Sequence, residues 1–187
     1  MRIKSKSDVL IGDYPFHDKL RDRLVSVLEN YPDRQNRASN VKATMTEWNV
    51  TTPQIERLKK YVVNEIYKFF PESAIGHKND KLGWKDFWGN VYRKGEDTIS
   101  HDHKPSIFSF VYFLKTKWYD SSLVFTDFGE RIRPKEGRYV VFPGHILHHV
   151  RKHRYNETRI TLSGNLFFRE VSSDDWYKDF RDPVKLL

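Results

Sequence analysis

The sequence predicts a mainly β domain, an antiparallel sandwich or barrel of short strands with two α-helices packed on its outside. Two segments in the first half carry apolar residues at helical spacing. From Trp84 onward, short runs rich in Val, Ile, Phe, Tyr and Thr alternate with turn residues. Aromatic residues make up 15% of the chain, far more than a disordered chain carries. At 187 residues a single domain is expected, and a fold of that size buries roughly two-thirds of its unfolded surface.

In chain order, Phe16, Leu20, Leu24 and Leu28 recur every fourth residue, with Val25 and Val27 widening the stripe, so a helix with one buried face is expected there. Pro32 ends it, because proline lacks the donor that a continuing helix needs. The polar stretch Asp33–Thr44 has no period and reads as a loop, a candidate lid by composition alone. Thr52 can cap a second helix with Pro53 at its first position. Ile55, Leu58, Val62, Ile66 and Phe69 form the stripe of that helix, Pro71 closes it, and Pro71–Lys81 is a further loop. Strands are expected near Trp84–Tyr92, Ile107–Lys115, Leu123–Thr126, Arg138–Phe142, Leu147–Arg151 and Thr158–Phe168, with turns at Gly95, Gly129, Gly137 and Pro143-Gly144. The chain divides accordingly into a mainly helical scaffold (1–83), a β core (84–170) and a C-terminal segment (171–187).

Cysteine is absent, which excludes disulfides, thiolate zinc sites and thiol catalysis and leaves histidine and carboxylate as the strong metal ligands. Six of the eight histidines fall in two patches, His101 with His103, and His145, His148, His149 and His153. On an extended chain His101 and His103 point to one face and Asp102 to the other. Two imidazoles so placed make half of a metal site, and His148, inward on the strand after Pro143-Gly144, can complete it. His145, His149 and His153 read as surface or supporting residues, and His17 and His77 as incidental. In the last strand Arg159, Thr161, Ser163 and Asn165 share one face, while Ile160 and Leu162, with Leu166 beyond Gly164, share the other. A buried polar row needs partners, so it is expected to line a ligand pocket. An arginine beside a hydroxyl suits a carboxylate, which a guanidinium can grip bidentately.

Taken in order, Trp88-Gly89-Asn90, His101 to Ser106, Ser109 with Tyr112, Phe142-Pro143, His148 with Val150, and Arg159 to Asn165 form a set. This set resembles the iron(II)/2-oxoglutarate-dependent oxygenases, and among them the short oxygenases of bacteria and phages. Their motif reads His-x-Asp/Glu, a distal His, and Arg-x-Ser/Thr on the next strand. The match runs from Trp84 to Phe168, with Lys104 as an extra residue. The resemblance implies a double-stranded β-helix (jelly roll) of roughly eight strands flanked by the two N-terminal helices. It implies Fe(II) on His101, His103 and His148, and 2-oxoglutarate held by Arg159 and Thr161 with Tyr112 and Asn90 as further contacts. The implied reaction consumes O2, releases succinate and CO2, and hydroxylates a substrate that the sequence does not identify. One departure stands out: position 103 is a carboxylate in the family and a histidine here. Asp102, through a bulge, or the more distant Asp127 are the alternative third ligands.

Between Arg131 and Arg159 there are eight basic and two acidic residues, a net six of the total charge of +8. Of these only Arg159 is needed for a dicarboxylate, and the rest are expected to form a positive rim that draws an anionic substrate to the site. Nucleic acid is a possible partner that no known binding motif supports, and nothing in the sequence bears on oligomeric state. No apolar run is long enough to span a bilayer and the N-terminus lacks a signal-peptide core, so a soluble, cytoplasmic protein with no membrane partner is expected. Two other readings fit the same residues. One is a cupin-like three-histidine metal enzyme without 2-oxoglutarate, and the other is a non-enzymatic, basic jelly-roll module that binds polyanions.

Overall fold

A computed structural model describes residues 9–34, 39–70, 81–169 and 184–186. Its elements follow the order β1 (Leu10–Asp13), α1 (His17–Glu29), β2 (Val41–Lys42), β3 (Thr44–Met45), β4 (Val50–Thr51), α2 (Pro53–Phe69), β5 (Lys81–Tyr92), β6 (Asp97–His101), β7 (Phe108–Lys115), β8 (Leu123–Phe125), β9 (Arg131–Ile132), β10 (Arg138–Pro143), β11 (His148–Val150), β12 (Arg159–Arg169) and β13 (Val184–Lys185). All six expected strands and both helices are present. The expected loops at 71–80 and at 35–38, His77, and most of the C-terminal segment lie outside the described residues.

Two antiparallel sheets face each other. The larger has the order β1-β10-β7-β12-β5-β3 and the smaller β2-β6-β11-β8-β9, while β13 pairs in parallel with β4. This is the jelly roll that the sequence implied. The N-terminal 83 residues are more than a helical scaffold, because β1 and β3 form the two edges of the large sheet and β2 an edge of the small one. The stretch Asp33–Thr44, expected to be a loop throughout, contains β2 and the start of β3.

The large sheet has apolar packing on both sides. Its outer row, including Phe87, Val91, Phe110, Tyr112, Ile160, Leu162 and Leu166, packs against Leu20, Leu24 and Leu28 of α1 and Ile55, Leu58, Val62 and Ile66 of α2. A second cluster lies between the sheets, where Phe113, Val140 and Phe142 meet Leu123, Phe125 and Val150. Helix α2 starts as its sequence directs: Pro53 opens it, and the Thr52 side chain accepts a hydrogen bond from the Ile55 amide at 3.1 Å. Gly89 marks a close approach and not a bulge, since the register runs evenly through it. A Cβ at this position would lie 2.9 Å from Leu28 Cδ2, so a larger residue would push α1 off the sheet.

At one end of the large sheet the inward polar row continues into a buried network. Asn165 Nδ2 donates to Asp86 Oδ1 (2.8 Å), and Ser109 Oγ donates to Asn165 Oδ1 (3.0 Å). Burial pushes the Asp86 carboxyl up to about 6, with the Asn165 hydrogen bond opposing the rise only in part. The folded-state value therefore exceeds the unfolded one. The group favours folding fully only below about 4, and that contribution is lost as pH rises through about 6. Asp86→Asn, which keeps the acceptor and removes the charge, is expected to raise the melting temperature at pH 7.5. The difference from wild type should close near pH 4, and a pH-independent offset would contradict this account. Leu24 is fully buried between α1 and the sheet. Leu24→Ala should cost about 2–5 kcal/mol in urea unfolding, from lost transfer energy plus the cavity left behind.

Candidate metal centre

Strand pairing builds the site. His101 ends β6 and lies directly opposite His148, the first residue of β11. His103 follows in the turn, pinned by hydrogen bonds from its amide to the Gly144 carbonyl (2.7 Å) and from the Ser106 amide to its own carbonyl (2.8 Å). Gly144 is the close-fitting part of this clamp. A Cβ there would stand 2.1 Å from the Ser106 carbonyl oxygen, so the turn that carries His103 needs glycine opposite it.

The three rings converge. Their centroids are 4.4 Å apart for His101 and His148, 4.8 Å for His101 and His103, and 5.1 Å for His103 and His148. One nitrogen from each falls within 4.8 Å of the others. Nδ1 of His101 lies 2.8 Å from the Ile99 carbonyl, and Nδ1 of His148 lies 3.0 Å from the Ile146 carbonyl. A carbonyl only accepts, so each Nδ1 carries the proton and each Nε2 presents a lone pair, the tautomer that metal coordination requires. Burial, followed by the neighbouring imidazoles, lowers His148 to about 3 and His103 to about 4, and burial also lowers His101. The cluster is thus neutral at pH 7, the state in which imidazole binds metal.

Neither alternative carboxylate reaches the cluster. Asp102 pairs with Lys104 at 3.1 Å, and Asp127 accepts from the Leu147 amide at 3.4 Å. Among the described residues the set of possible ligands is three histidines.

Arg159, Thr161 and Ser163 of β12 line the same pocket as the histidines, together with Asn90, Tyr92, Phe142 and Ser109. Arg159 is 0% exposed, and none of its three guanidinium nitrogens has a hydrogen-bond partner among the described residues. Its guanidinium carbon lies 4.8 Å from the Tyr92 ring centre and 5.6 Å from that of Phe113. Burial holds its pKa below the usual arginine range. Aromatic faces offer a cation some attraction, but an unpaired buried charge remains costly. Asn90 organises the neighbouring hydroxyls. It accepts from Trp88 Nε1 (2.9 Å) and donates to Ser163 Oγ (3.0 Å) and Thr161 Oγ1 (3.3 Å).

Tyr112 is where the sequence reading needs correction. It sits on the opposite face of β7, fully buried against the helices, with its hydroxyl 2.7 Å from His17 Nδ1. Strand alternation explains the placement: Ser109 and Val111 line the pocket, so Tyr112 faces away. His17 is accordingly not incidental, since it is the partner of Tyr112. His153 is not a surface residue either. It is 1% exposed, and its Nε2 lies 2.6 Å from the Glu157 carbonyl. The basic residues do not ring the pocket. Of the eight between 131 and 159 only Arg159 lines it, while Lys135 and Arg138 pair with Asp13 on β1. Tyr92 and Phe113, which flank Arg159, escaped the sequence reading: Tyr92 shares a face of β5 with Asn90, while Phe113 lies on the opposite face of β7 from Tyr112.

No family model and no curated protein matches the chain. Solved structures do match. A viral collagen prolyl hydroxylase from Paramecium bursaria Chlorella virus-1, in complex with 2OG, superposes with a TM-score of 0.64 at 14% identity, over 84% of this chain and 94% of that one. A Pseudomonas putida prolyl-4-hydroxylase gives 0.61 at 15% identity, over 87% and 94%. HygX from Streptomyces hygroscopicus, with nickel and 2-oxoglutarate bound, gives 0.61 at 11% identity, over 95% and 91%. By fold, the chain is a double-stranded β-helix of the kind seen in solved 2OG-Fe(II) oxygenases.

Proposed function

We propose that the protein is an iron(II)- and 2-oxoglutarate-dependent dioxygenase that hydroxylates a substrate still to be identified. The observation that carries this reading is the unpaired guanidinium of Arg159, buried in the pocket that also holds the three histidines. A three-histidine metal enzyme without an acidic co-substrate would leave that cation uncompensated, as would a module with vestigial histidines. A dicarboxylate supplies one carboxylate for the guanidinium and leaves the other end free for a metal. The donor set fits as well, because three neutral imidazoles leave the full charge of a divalent ion to be met by an anionic ligand.

In this reading Nε2 of His101 and of His148, with a ring nitrogen of His103, would hold Fe(II), and Arg159 with Thr161 would hold the far carboxylate of 2-oxoglutarate. Once bound, the pair would supply the oxidising chemistry, consuming O2 and releasing succinate and CO2. The chain's own contribution is orientation and dryness. Ile99 and Ile146 fix two of the imidazole tautomers through their carbonyls. Asn90 sets the rotamers of Thr161 and Ser163, and thereby the hydroxyl beside the guanidinium. Tyr92 and Phe113 wall the guanidinium off from water, which strengthens its attraction for an anion. Phe142 packs edge-on to His148 at 4.7 Å and holds that ring in place.

Anaerobic titration with Fe(II) or Ni(II) should show one metal per chain, and 2-oxoglutarate added afterwards should produce a visible charge-transfer band. His148→Ala should weaken metal binding by more than about 100-fold, since even partners one bond removed from a metal are worth about 10–100-fold. Arg159→Ala should keep the metal but lose about 30- to 5,000-fold in 2-oxoglutarate affinity, the equivalent of about 2–5 kcal/mol for a buried charge pair. Arg159→Met should leave the ligand-free protein at least as stable as wild type, because it removes an unpaired buried charge. Metal binding with no band, no succinate release and no effect of Arg159→Ala would favour the three-histidine alternative.

A further inference from the structure

The outer face of the smaller sheet carries features that the metal pocket does not use. In β8, Leu123 and Phe125 point into the core between the sheets. Val124 therefore points outward, as do its cross-strand partners, His149 on β11 and Arg131 on β9. On that side Arg131, Arg151, Lys152, Arg154, Tyr119 and Tyr155 line a groove floored by Val124. The thickness of the sheet separates it from the inward-facing His148.

Among the described residues none of these four cations has a carboxylate partner, whereas elsewhere on the surface Arg21 pairs with Glu136, Arg34 with Glu47 and Lys135 with Asp13. Beside the groove Trp118 is 81% exposed, an unusual state for the largest apolar side chain. Its ring lies 5.6 Å from Tyr119, which in turn lies 4.4 Å from Tyr155, so three aromatic rings run alongside the cations.

The loops that present these groups are stiffened from beneath. The buried Asp120 carboxylate accepts from Thr116 Oγ1 and the Lys117 amide, both at 2.9 Å. The buried His153 exchanges backbone hydrogen bonds with the turn between β5 and β6, to the Glu96 carbonyl and from the Gly95 amide, both at 2.7 Å. Ser121 Oγ ties the two loops together through the Lys152 carbonyl at 3.0 Å. Ordering has thus been met in the free protein, which favours binding.

We infer that this groove binds single-stranded nucleic acid. Unpaired cations suit a backbone of regularly spaced phosphates, and exposed rings suit unstacked bases, which every sequence offers. An acidic peptide would satisfy the cations but give the exposed Trp118 ring nothing to stack on. A duplex would keep its bases out of reach.

The test is fluorescence anisotropy with a labelled 15-nucleotide oligo-dT and the full-length protein, with circular dichroism of every variant. Binding should fall with salt at a log–log slope of about −3, as expected for four neutralised phosphates on a single strand. Arg151→Ala combined with Arg154→Ala should flatten that slope by about 1.4. Trp118→Ala should weaken binding about 5- to 150-fold with the slope unchanged, the signature of lost stacking and not of lost charge. Absence of binding would overturn the inference. So would equal or tighter binding of a duplex or of poly-glutamate, or full affinity in folded Trp118→Ala.

Discussion

Strand β12 is the constraint on which the rest of the molecule depends. It lies inside the large sheet, hydrogen-bonded to β5 on one side and β7 on the other, and its two faces have opposite chemistry. Ile160, Leu162 and Leu166 need an apolar cover, which the two helices provide. Arg159, Thr161, Ser163 and Asn165 need polar partners, and these must come from the neighbouring strands or from a ligand. A slip of one residue in register would turn both rows over at once, placing a guanidinium under the helices and isoleucine in the pocket. The helical layer and the chemistry of the pocket therefore stand or fall on one alignment.

The neighbouring strands meet this demand for three of the four polar residues. Asn90 serves Thr161 and Ser163, while Asp86 and Ser109 serve Asn165. Arg159 is the exception: aromatic rings lie beside it, and among the described residues no well-aligned hydrogen bond reaches its guanidinium. In the proposed reading, an arriving carboxylate would give this buried charge the hydrogen-bonded partner that the row itself does not supply. The histidines follow the same logic at a lower level. Burial keeps them uncharged, and two carbonyls turn their lone pairs inward.

Much of this was legible in the sequence because strands write a period of two. The polar and apolar rows of β12, the inward His148 and the bounds of the six longest-signalled strands all follow from alternation. The Thr52-Pro53 start of α2 follows from capping chemistry. The short strands β2, β3, β4 and β9 were not legible, since two residues hold no period and pair only because a longer neighbour lies alongside. Tyr112 was misplaced by trusting a motif over parity: it is three residues from Ser109, and an odd spacing on a strand means opposite faces. The basic excess misled in a related way. Closeness in sequence grouped residues that the sheet distributes over a buried pocket, an edge paired with Asp13 and an outward groove.

The gradient of burial along the pocket has a kinetic consequence. Arg159 lies at the fully closed end, while His101 and His103 are only partly covered. In the proposed reading, a dicarboxylate gripped by the guanidinium would lie deeper than anything seated over the imidazoles. That difference in depth would set a sequence of arrivals, with the deep occupant first and the outer one second. Departures would then run in reverse, with the inner product waiting for the outer one to leave.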